Sequence, residues 1–266
     1  MAPYQNVELS DPRLERDGLR FLTFRSPALG GRGDVAFFVP PGAASLQGLP
    51  LAILLHGIFG SHWAWALKAG AHLTALGMMD RREIRPMVLA MPSDGLWGEG
   101  SGYVPHAHAD YSRWIMEDVP GCLAQVLPCL GPRILLTGLS MGGYGALRLG
   151  AAFPDRVAGI SGHSSVTHLA QLAPFLQKPL PLAGGPEDPT HGVLPWILRA
   201  GAALPPLRFD CGRTDPYIEP NRVLHRELEG RGIHHVYEEF EGGHSWEYWG
   251  EHLKDSLRFF DRSGLI

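Results

Sequence analysis

The sequence predicts an α/β fold in which a mostly parallel, twisted sheet of about eight strands carries helices on both faces. Three observations support this fold class. Strand-like and helix-like segments alternate along most of the chain, as in parallel sheets. Residues 51–56 (LAILLH) are a continuous apolar run, and 133–138 (RILLTG) have an apolar centre, as is typical of strands buried on both faces. The 266 residues are 45% hydrophobic and 19% charged, the composition of a folded globular chain.

Each element follows from its local pattern. Residues 19–26 (LRFLTFRS) and 34–40 (DVAFFVP) flank a glycine-rich link and predict an antiparallel hairpin. Further strands are predicted at 51–56, 87–93, 133–138, 156–162, 207–212 and 235–243, the last near a sheet edge because it alternates. Helical spacing predicts helices at 62–79, 110–127 (bent near Pro120), 142–154, 219–232 and 245–262.

Residues 163–206 break this alternation, because they contain eight prolines and no long periodic segment. A loop of this length in a compact domain is usually functional or carries short helices. We therefore predict that residues 1–266 form one domain and that 163–206 is an insertion covering the end of the sheet where the active site lies.

The charge and cysteine content exclude several classes of protein. A net charge of −4 provides no basic surface for nucleic acid, and no polybasic patch marks membrane binding. No run approaches the ~20 apolar residues of a membrane span, and the first residues lack the pattern of a signal peptide. Cys122, Cys129 and Cys211 form neither a disulfide framework nor a zinc motif. These features predict a cytoplasmic protein without a metal, and they leave a homo-oligomer open.

Residues 137–145 (TGLSMGGYG) contain the pattern G-x-S-x-G, with Ser140 between Gly138 and Gly142. In a nucleophile elbow, the serine lies on a tight strand-to-helix turn, where bulky neighbours would collide with the turning chain. The motif requires a strand before it and a helix after it, and both are predicted here. Ser140 is therefore the candidate nucleophile.

A serine hydroxyl needs a general base and an orienting carboxylate, which in this arrangement follow it in the order acid, then histidine. His244 lies between the last predicted strand and the last helix, after a Gly-Gly turn. Asp215 lies on the loop after strand 207–212, where parallel sheets place their ligand sites, whereas Asp210 falls inside that strand. The predicted catalytic residues are Ser140, Asp215 and His244.

An oxyanion hole would complete this site. One donor is predicted to be the backbone N–H of Met141, directly after the nucleophile. The second is predicted on the loop after strand 51–56, at Ile58, with Phe59 as the neighbouring candidate. For His56, in the same tight turn, the sequence favours a role in hydrogen bonds that stabilise the turn.

With these residues in place, the chain resembles the α/β-hydrolase superfamily. More narrowly, it is similar to the esterase family that includes esterase D (an S-formylglutathione hydrolase), tributyrin esterases and the antigen 85 mycolyltransferases. The resemblance spans nearly all of residues 51–255, and its most specific pieces are the elbow with its helix and the segment GGHSWEYW. It implies an α/β-hydrolase fold, the triad Ser140, Asp215 and His244, and oxyanion donors at Ile58 and Met141.

The combined analysis predicts a serine carboxylesterase that cleaves short-chain acyl or aryl esters through an acyl-enzyme, without a cofactor. An aromatic cleft is expected from Phe59, Trp97, Tyr103 and Trp246. The insertion offers further candidates for the acyl side, namely Phe175, Leu176, Leu194 and Trp196. Three alternatives remain: an acyltransferase with the same triad, a thioesterase of the S-formylglutathione type, and a binding protein without activity.

Overall fold

A computed structural model describes residues 4–96, 98–182 and 188–262, and within these ranges nine strands form a single sheet. The strands are β1 (Gln5–Leu9), β2 (Leu19–Ser26), β3 (Gly31–Phe38), β4 (Leu49–Leu55), β5 (Val88–Pro92), β6 (Leu130–Leu139), β7 (Val157–His163), β8 (Leu207–Gly212) and β9 (Val236–Phe240). Their order across the sheet is β1-β2-β3-β5-β4-β6-β7-β8-β9. The pairs β1/β2, β2/β3 and β3/β5 are antiparallel, and every pair from β5 to β9 is parallel. The carboxyl ends of the parallel strands therefore meet along one edge of the sheet.

Helices cover both faces of the sheet, as the alternation of segments predicted. They are α1 (Ala64–Lys68), α2 (Ala71–Asp80), α3 (Tyr111–Arg113), α4 (Val119–Val126), α5 (Met141–Ala152), α6 (Leu194–Ala200), α7 (Ile218–Glu229) and α8 (Trp246–Arg262). Buried side chains of α1, α2 and α8 form one core, and those of α4 to α7 form the other. Strand β4 serves both cores, because Ile53 and Leu55 point into one while Ala52 and Leu54 point into the other.

The structure differs from the predicted elements at three places. Strand β1 was not predicted, because QNVEL is largely exposed at the sheet edge and lacks a buried alternation. The predicted helix at 62–79 is two helices, separated at Gly70, which has a left-handed φ of 62°. The predicted helix at 110–127 has an α-helical start, a π-helical turn at Trp114–Asp118, and then α4. Pro120 has no N–H to donate to the turn before it, which accounts for the irregularity there.

The proline-rich segment 163–206 begins with the last residue of β7 and otherwise contains short helices and no strand within its described part. A 3₁₀ helix covers Leu169–Phe175, another covers Pro189–His191, and α6 is followed by a third at Gly201–Ala203. Among the described residues, no helix has the length and hydropathy needed to cross a bilayer.

Candidate active site

Ser140 lies at the sharp turn between β6 and α5, with φ 54° and ψ −118°. A non-glycine residue in this region of backbone space carries a strain of about 1–3 kcal/mol, which the surrounding structure must hold. Its N–H donates to the carbonyl oxygen of His163 at 2.9 Å, and its own carbonyl accepts from the N–H of Val166 at 3.1 Å. These two hydrogen bonds tie the turn to the end of β7.

The two glycines of the motif are required by close packing around this turn. A Cβ atom on Gly142 would lie 2.2 Å from the carbonyl oxygen of Leu55, and one on Gly138 would lie 2.3 Å from that of Gly142. Both distances are far below a van der Waals contact, and both involve backbone atoms that cannot rotate away. Any larger residue at either position would therefore displace Ser140.

The structure brings Ser140, His244 and Asp215 together from the ends of three different strands. His244 Nε2 lies 3.0 Å from Ser140 Oγ, and His244 Nδ1 lies 2.9 Å from Asp215 Oδ2. Because a carboxylate only accepts hydrogen bonds at neutral pH, the proton of the neutral imidazole is on Nδ1, which leaves Nε2 free to accept from the serine hydroxyl. The other carboxylate oxygen of Asp215 accepts from the N–H of Tyr217 at 2.8 Å, which fixes the carboxylate.

Aromatic side chains and a glycine turn hold the imidazole of His244 in this position. The ring of Trp249 meets it edge-on at a centroid distance of 4.8 Å, and the ring of Tyr217 packs at 5.1 Å. Trp249 is itself fixed by a hydrogen bond from its Nε1 to Ser164 Oγ at 3.1 Å. The carbonyl of Gly242 accepts from the N–H of Thr214 at 3.0 Å, so the loop carrying His244 is joined to the loop carrying Asp215.

Asp210, the other acidic candidate near strand β8, lies in a buried network away from the serine. Its carboxylate contacts Arg208 Nη1 at 2.5 Å, His163 Nδ1 at 2.8 Å and the hydroxyl of Tyr248 at 2.7 Å. Burial alone would raise the pKa of Asp210, but His163 and Arg208 outweigh it and hold the pKa well below its ordinary value. This aspartate joins β7, β8 and α8 beneath the site.

Two backbone N–H groups, those of Ile58 and Met141, make no hydrogen bond to any described residue. They belong to the two segments that flank the serine, since Met141 follows it and Ile58 lines the same cleft. The N–H of Phe59 donates to the carbonyl of Glu99 at 2.8 Å. Phe59 is therefore excluded as the alternative donor, and Ile58 stays the candidate.

The peptide group between Gly57 and Ile58 is held by His56. His56 Nδ1 lies 2.7 Å from the carbonyl oxygen of Gly57, and His56 Nε2 accepts from the N–H of Asp94 at 3.0 Å. The second bond places the ring proton on Nδ1, which then donates to Gly57. Since the carbonyl of Gly57 and the N–H of Ile58 belong to one planar group, this hydrogen bond also orients the Ile58 N–H.

A cleft of about 260 Å³ opens at Ser140 and is mainly aromatic and aliphatic. It is lined by Gly57, Ile58, Phe59, Gly60, Trp63, Ala64, Lys68, Leu139, Ser140, Leu172, Phe175, Tyr217, His244, Trp246 and Trp249. Two of the predicted substrate-binding residues, Phe59 and Trp246, are therefore at the cleft. Trp97 lies outside the described residues.

Tyr103 is a correction to the sequence analysis, because it is not part of the cleft. Its side chain is fully buried, and its hydroxyl donates to the carbonyl of His56 at 3.0 Å. A left-handed φ of 55° turns the residue inward, so that its ring lies against Gly145 of α5. Tyr103 supports the loop that carries Ile58 and does not contact the cleft.

The insertion supplies one wall of the cleft through Leu172 and Phe175, of which only Phe175 was a candidate. Leu176, Leu194 and Trp196 lie outside the cleft, and Trp196 stacks against the guanidinium of Arg148 at 4.4 Å.

Tyr217 and Lys68 are among the cleft residues that the sequence analysis missed. Tyr217 follows Asp215 by two residues, so its position next to the acid was the available signal. Lys68 had no signal beyond its place shortly after the oxyanion loop. Within the described ranges, no group of three or more His, Cys, Asp or Glu side chains could hold a metal ion.

The fold and the site define a serine hydrolase of the α/β-hydrolase fold. The sequence model of the family described as "putative esterase" matches residues 26–260, and the chain belongs to this family of carboxylic ester hydrolases. An acetyl esterase from Caldicellulosiruptor saccharolyticus is 25% identical over 236 residues, which cover 81% of this chain and 85% of that protein.

Solved structures with the same fold include two esterases of low sequence identity. A ferulic acid esterase superposes with a TM-score of 0.81 at 18% identity, covering 98% of this chain and 99% of that one. An S-formylglutathione hydrolase from Staphylococcus aureus superposes with a TM-score of 0.74 at 20% identity, covering 94% and 98% of the two chains. The expected fold is confirmed by these similarities.

Proposed function

We propose that this chain hydrolyses short-chain acyl or aryl esters, with Ser140 as nucleophile, His244 as general base and Asp215 as its orienting acid. The observation that carries the proposal is the unbroken line of hydrogen bonds from Ser140 Oγ through the imidazole of His244 to Asp215. The Ser140 end of this line opens into a cleft of about 260 Å³, a volume that suits a small ester.

The chemistry follows from the positions of these groups. As Ser140 Oγ attacks the ester carbonyl carbon, its proton passes to His244 Nε2, and the carbonyl oxygen acquires a negative charge. The N–H groups of Met141 and Ile58 stabilise that oxyanion. His244 then returns the proton to the departing alcohol, leaving an acyl-enzyme. Water attacks this ester with the help of the same imidazole, and Asp215 stabilises the imidazolium formed in each step.

Other features fit the same proposal. The name of the acetyl esterase relative suggests that the acyl group is small, and the name of the ferulic acid esterase suggests that aromatic groups fit this fold. Leu172 and Phe175 support the prediction that residues 163–206 cover the site of a one-domain enzyme. Three buried free thiols are compatible with the cytoplasm as its compartment.

The experiment is a panel of 4-nitrophenyl esters of increasing acyl length, tested on the wild type and on Ser140→Ala. We expect kcat/KM to be highest for the shortest acyl groups and to fall by at least ~10³-fold in the alanine variant. Added acceptor alcohols would reveal acyl transfer as ester products. An alanine variant with wild-type activity would refute the assignment of the nucleophile.

A further inference from the structure

Lys68 is an unusual member of the cleft because most of the other lining residues are aromatic or aliphatic. Among the described residues that line it, Lys68 is the one that carries a full charge at neutral pH. Lys68 is the last residue of α1, and Ala64, one turn earlier on the same helix face, also lines the cleft. Lys68 therefore borders the space that a bound ester would occupy.

The ammonium group of Lys68 forms no ion pair with any carboxylate that the structure describes. It lies 5.3 Å from the ring centroid of Trp246, as a cation–π contact, and within the described ranges no acid forms an ion pair with it. By contrast, Lys254 on α8 contacts Glu251 at 2.8 Å. A lysine at the cleft that contacts an aromatic face and no anion can accept an anionic group from a ligand without first breaking an ion pair.

Glu247 is a nearby acid whose negative charge opposes the positive charge of Lys68. Hydrogen bonds from Ser245 and from its own backbone, and then the charge of Lys68, lower the pKa of Glu247. The glutamate is therefore ionised at neutral pH, and Ser245 contributes more to this lowering of its pKa than Lys68 does. Since it does not reach Lys68 as an ion pair, it weakens the positive potential of the lysine without cancelling it.

From this arrangement we infer that Lys68 selects esters with an aromatic ring and a carboxylate on the group that occupies the cleft. The ring would pack between aromatic side chains such as Phe59 and Trp246 while the carboxylate meets the ammonium group. The inference rests on the proposed function, since it assigns the substrate class of the same site.

The test compares anionic and neutral esters of matched shape. In the first pair, 4-acetoxybenzoate and 4-acetoxybenzamide form the same acetyl-enzyme, so that they differ only in the leaving group. In the second pair, monomethyl terephthalate and methyl 4-carbamoylbenzoate carry the charge on the acyl side. We expect the wild type to prefer the anionic member of one pair in kcat/KM by about two- to fivefold, the range expected for a partly exposed ion pair. The preference should fall as ionic strength rises.

Three variants make the test specific to Lys68. In Lys68→Met the preference should disappear, and in Lys68→Glu the neutral ester should become the better substrate. Glu247→Gln should raise the preference, since it removes the opposing charge. Lys254→Met is the matched control, because it removes a lysine of equal charge outside the cleft and should keep the wild-type preference.

The outcomes separate this inference from the function on which it rests. A wild type that hydrolyses neutral esters but shows no preference in either pair would overturn the role of Lys68 and leave the esterase intact. A preference that persists in Lys68→Met would overturn it as well. A wild type that cleaves neither the four esters of this test nor any 4-nitrophenyl ester would instead refute the proposed function.

Discussion

Asp210 and Asp215 lie five residues apart and can be separated by one pair of substitutions. Asp215→Asn keeps the size of the side chain, but its amide can donate to His244 Nδ1. That would move the ring proton to Nε2, so the imidazole could no longer accept from Ser140. Asp210→Asn instead removes a charge that meets Arg208 at 2.5 Å and His163 at 2.8 Å, both fully buried with it.

The two substitutions should affect different quantities, kcat for Asp215→Asn and the free energy of unfolding for Asp210→Asn. Loss of the orienting acid typically lowers kcat by ~10⁴-fold while the fold is preserved. Breaking a buried ion pair typically costs about 3–5 kcal/mol. Since Arg208 keeps a second partner, Glu238 at 2.8 Å, we expect Asp210→Asn to fall near the lower limit, at about 3 kcal/mol of unfolding free energy. For a chain of this length, such a loss corresponds to a decrease in Tm of roughly 5–10 °C.

The assay combines urea unfolding with hydrolysis of 4-nitrophenyl acetate by the two purified variants. Asp215→Asn should unfold close to the wild type and be almost inactive. Asp210→Asn should be clearly less stable and, below its unfolding transition, should keep most of its kcat. The reasoning is refuted if Asp215→Asn keeps wild-type activity or if the two substitutions exchange their effects.

Three further expectations concern the surroundings of the site. Replacing His56 by Phe frees the peptide that carries the Ile58 N–H. In steady-state kinetics, kcat should fall tenfold or more at similar KM, which is less than the ~10²–10³-fold cost of losing an oxyanion donor. A change in KM alone would contradict this expectation. Phe175→Ala enlarges the acyl side, so the optimum acyl length in the ester panel should increase; an unchanged optimum would place the acyl group elsewhere. Burial lowers the pKa values of His62 and His72 from 6.5. Below about pH 6.5 the unfolded chain therefore takes up protons that the folded chain does not, and Tm should be lower at about pH 5 than at about pH 7. His72→Gln should reduce this difference in Tm.

Most of the sheet could be predicted from the sequence because its central strands are buried on both faces and appear as apolar runs. Strand β1 could not, since QNVEL at an exposed edge pairs through its backbone and leaves no hydrophobic pattern. The break at Gly70 and the π-helical turn at Trp114–Asp118 depend on local backbone geometry that helical periodicity does not encode.

The three polar residues of the site were predictable for a related reason. Parallel strands bring their carboxyl ends to one edge, so the loops after β6, β8 and β9 open on the same side of the sheet and can bring their residues together, whatever their separation along the chain. The residues that form the walls of the cleft could not be predicted in this way, because strand order does not fix where loop side chains point. Tyr103 was wrongly predicted because a loop aromatic can turn inward as easily as outward. Leu172 was missed because the insertion has no periodicity to orient it.

The most direct test of the central claim is to trap the covalent intermediate. Wild-type protein mixed rapidly with excess 4-nitrophenyl acetate and quenched in acid should gain the mass of one acetyl group, and peptide mapping should locate that group on Ser140. His244→Ala should show no such adduct on the same timescale, because the hydroxyl proton would have no acceptor. An acetyl group on any other residue, or equal labelling of Ser140 in His244→Ala, would contradict the account.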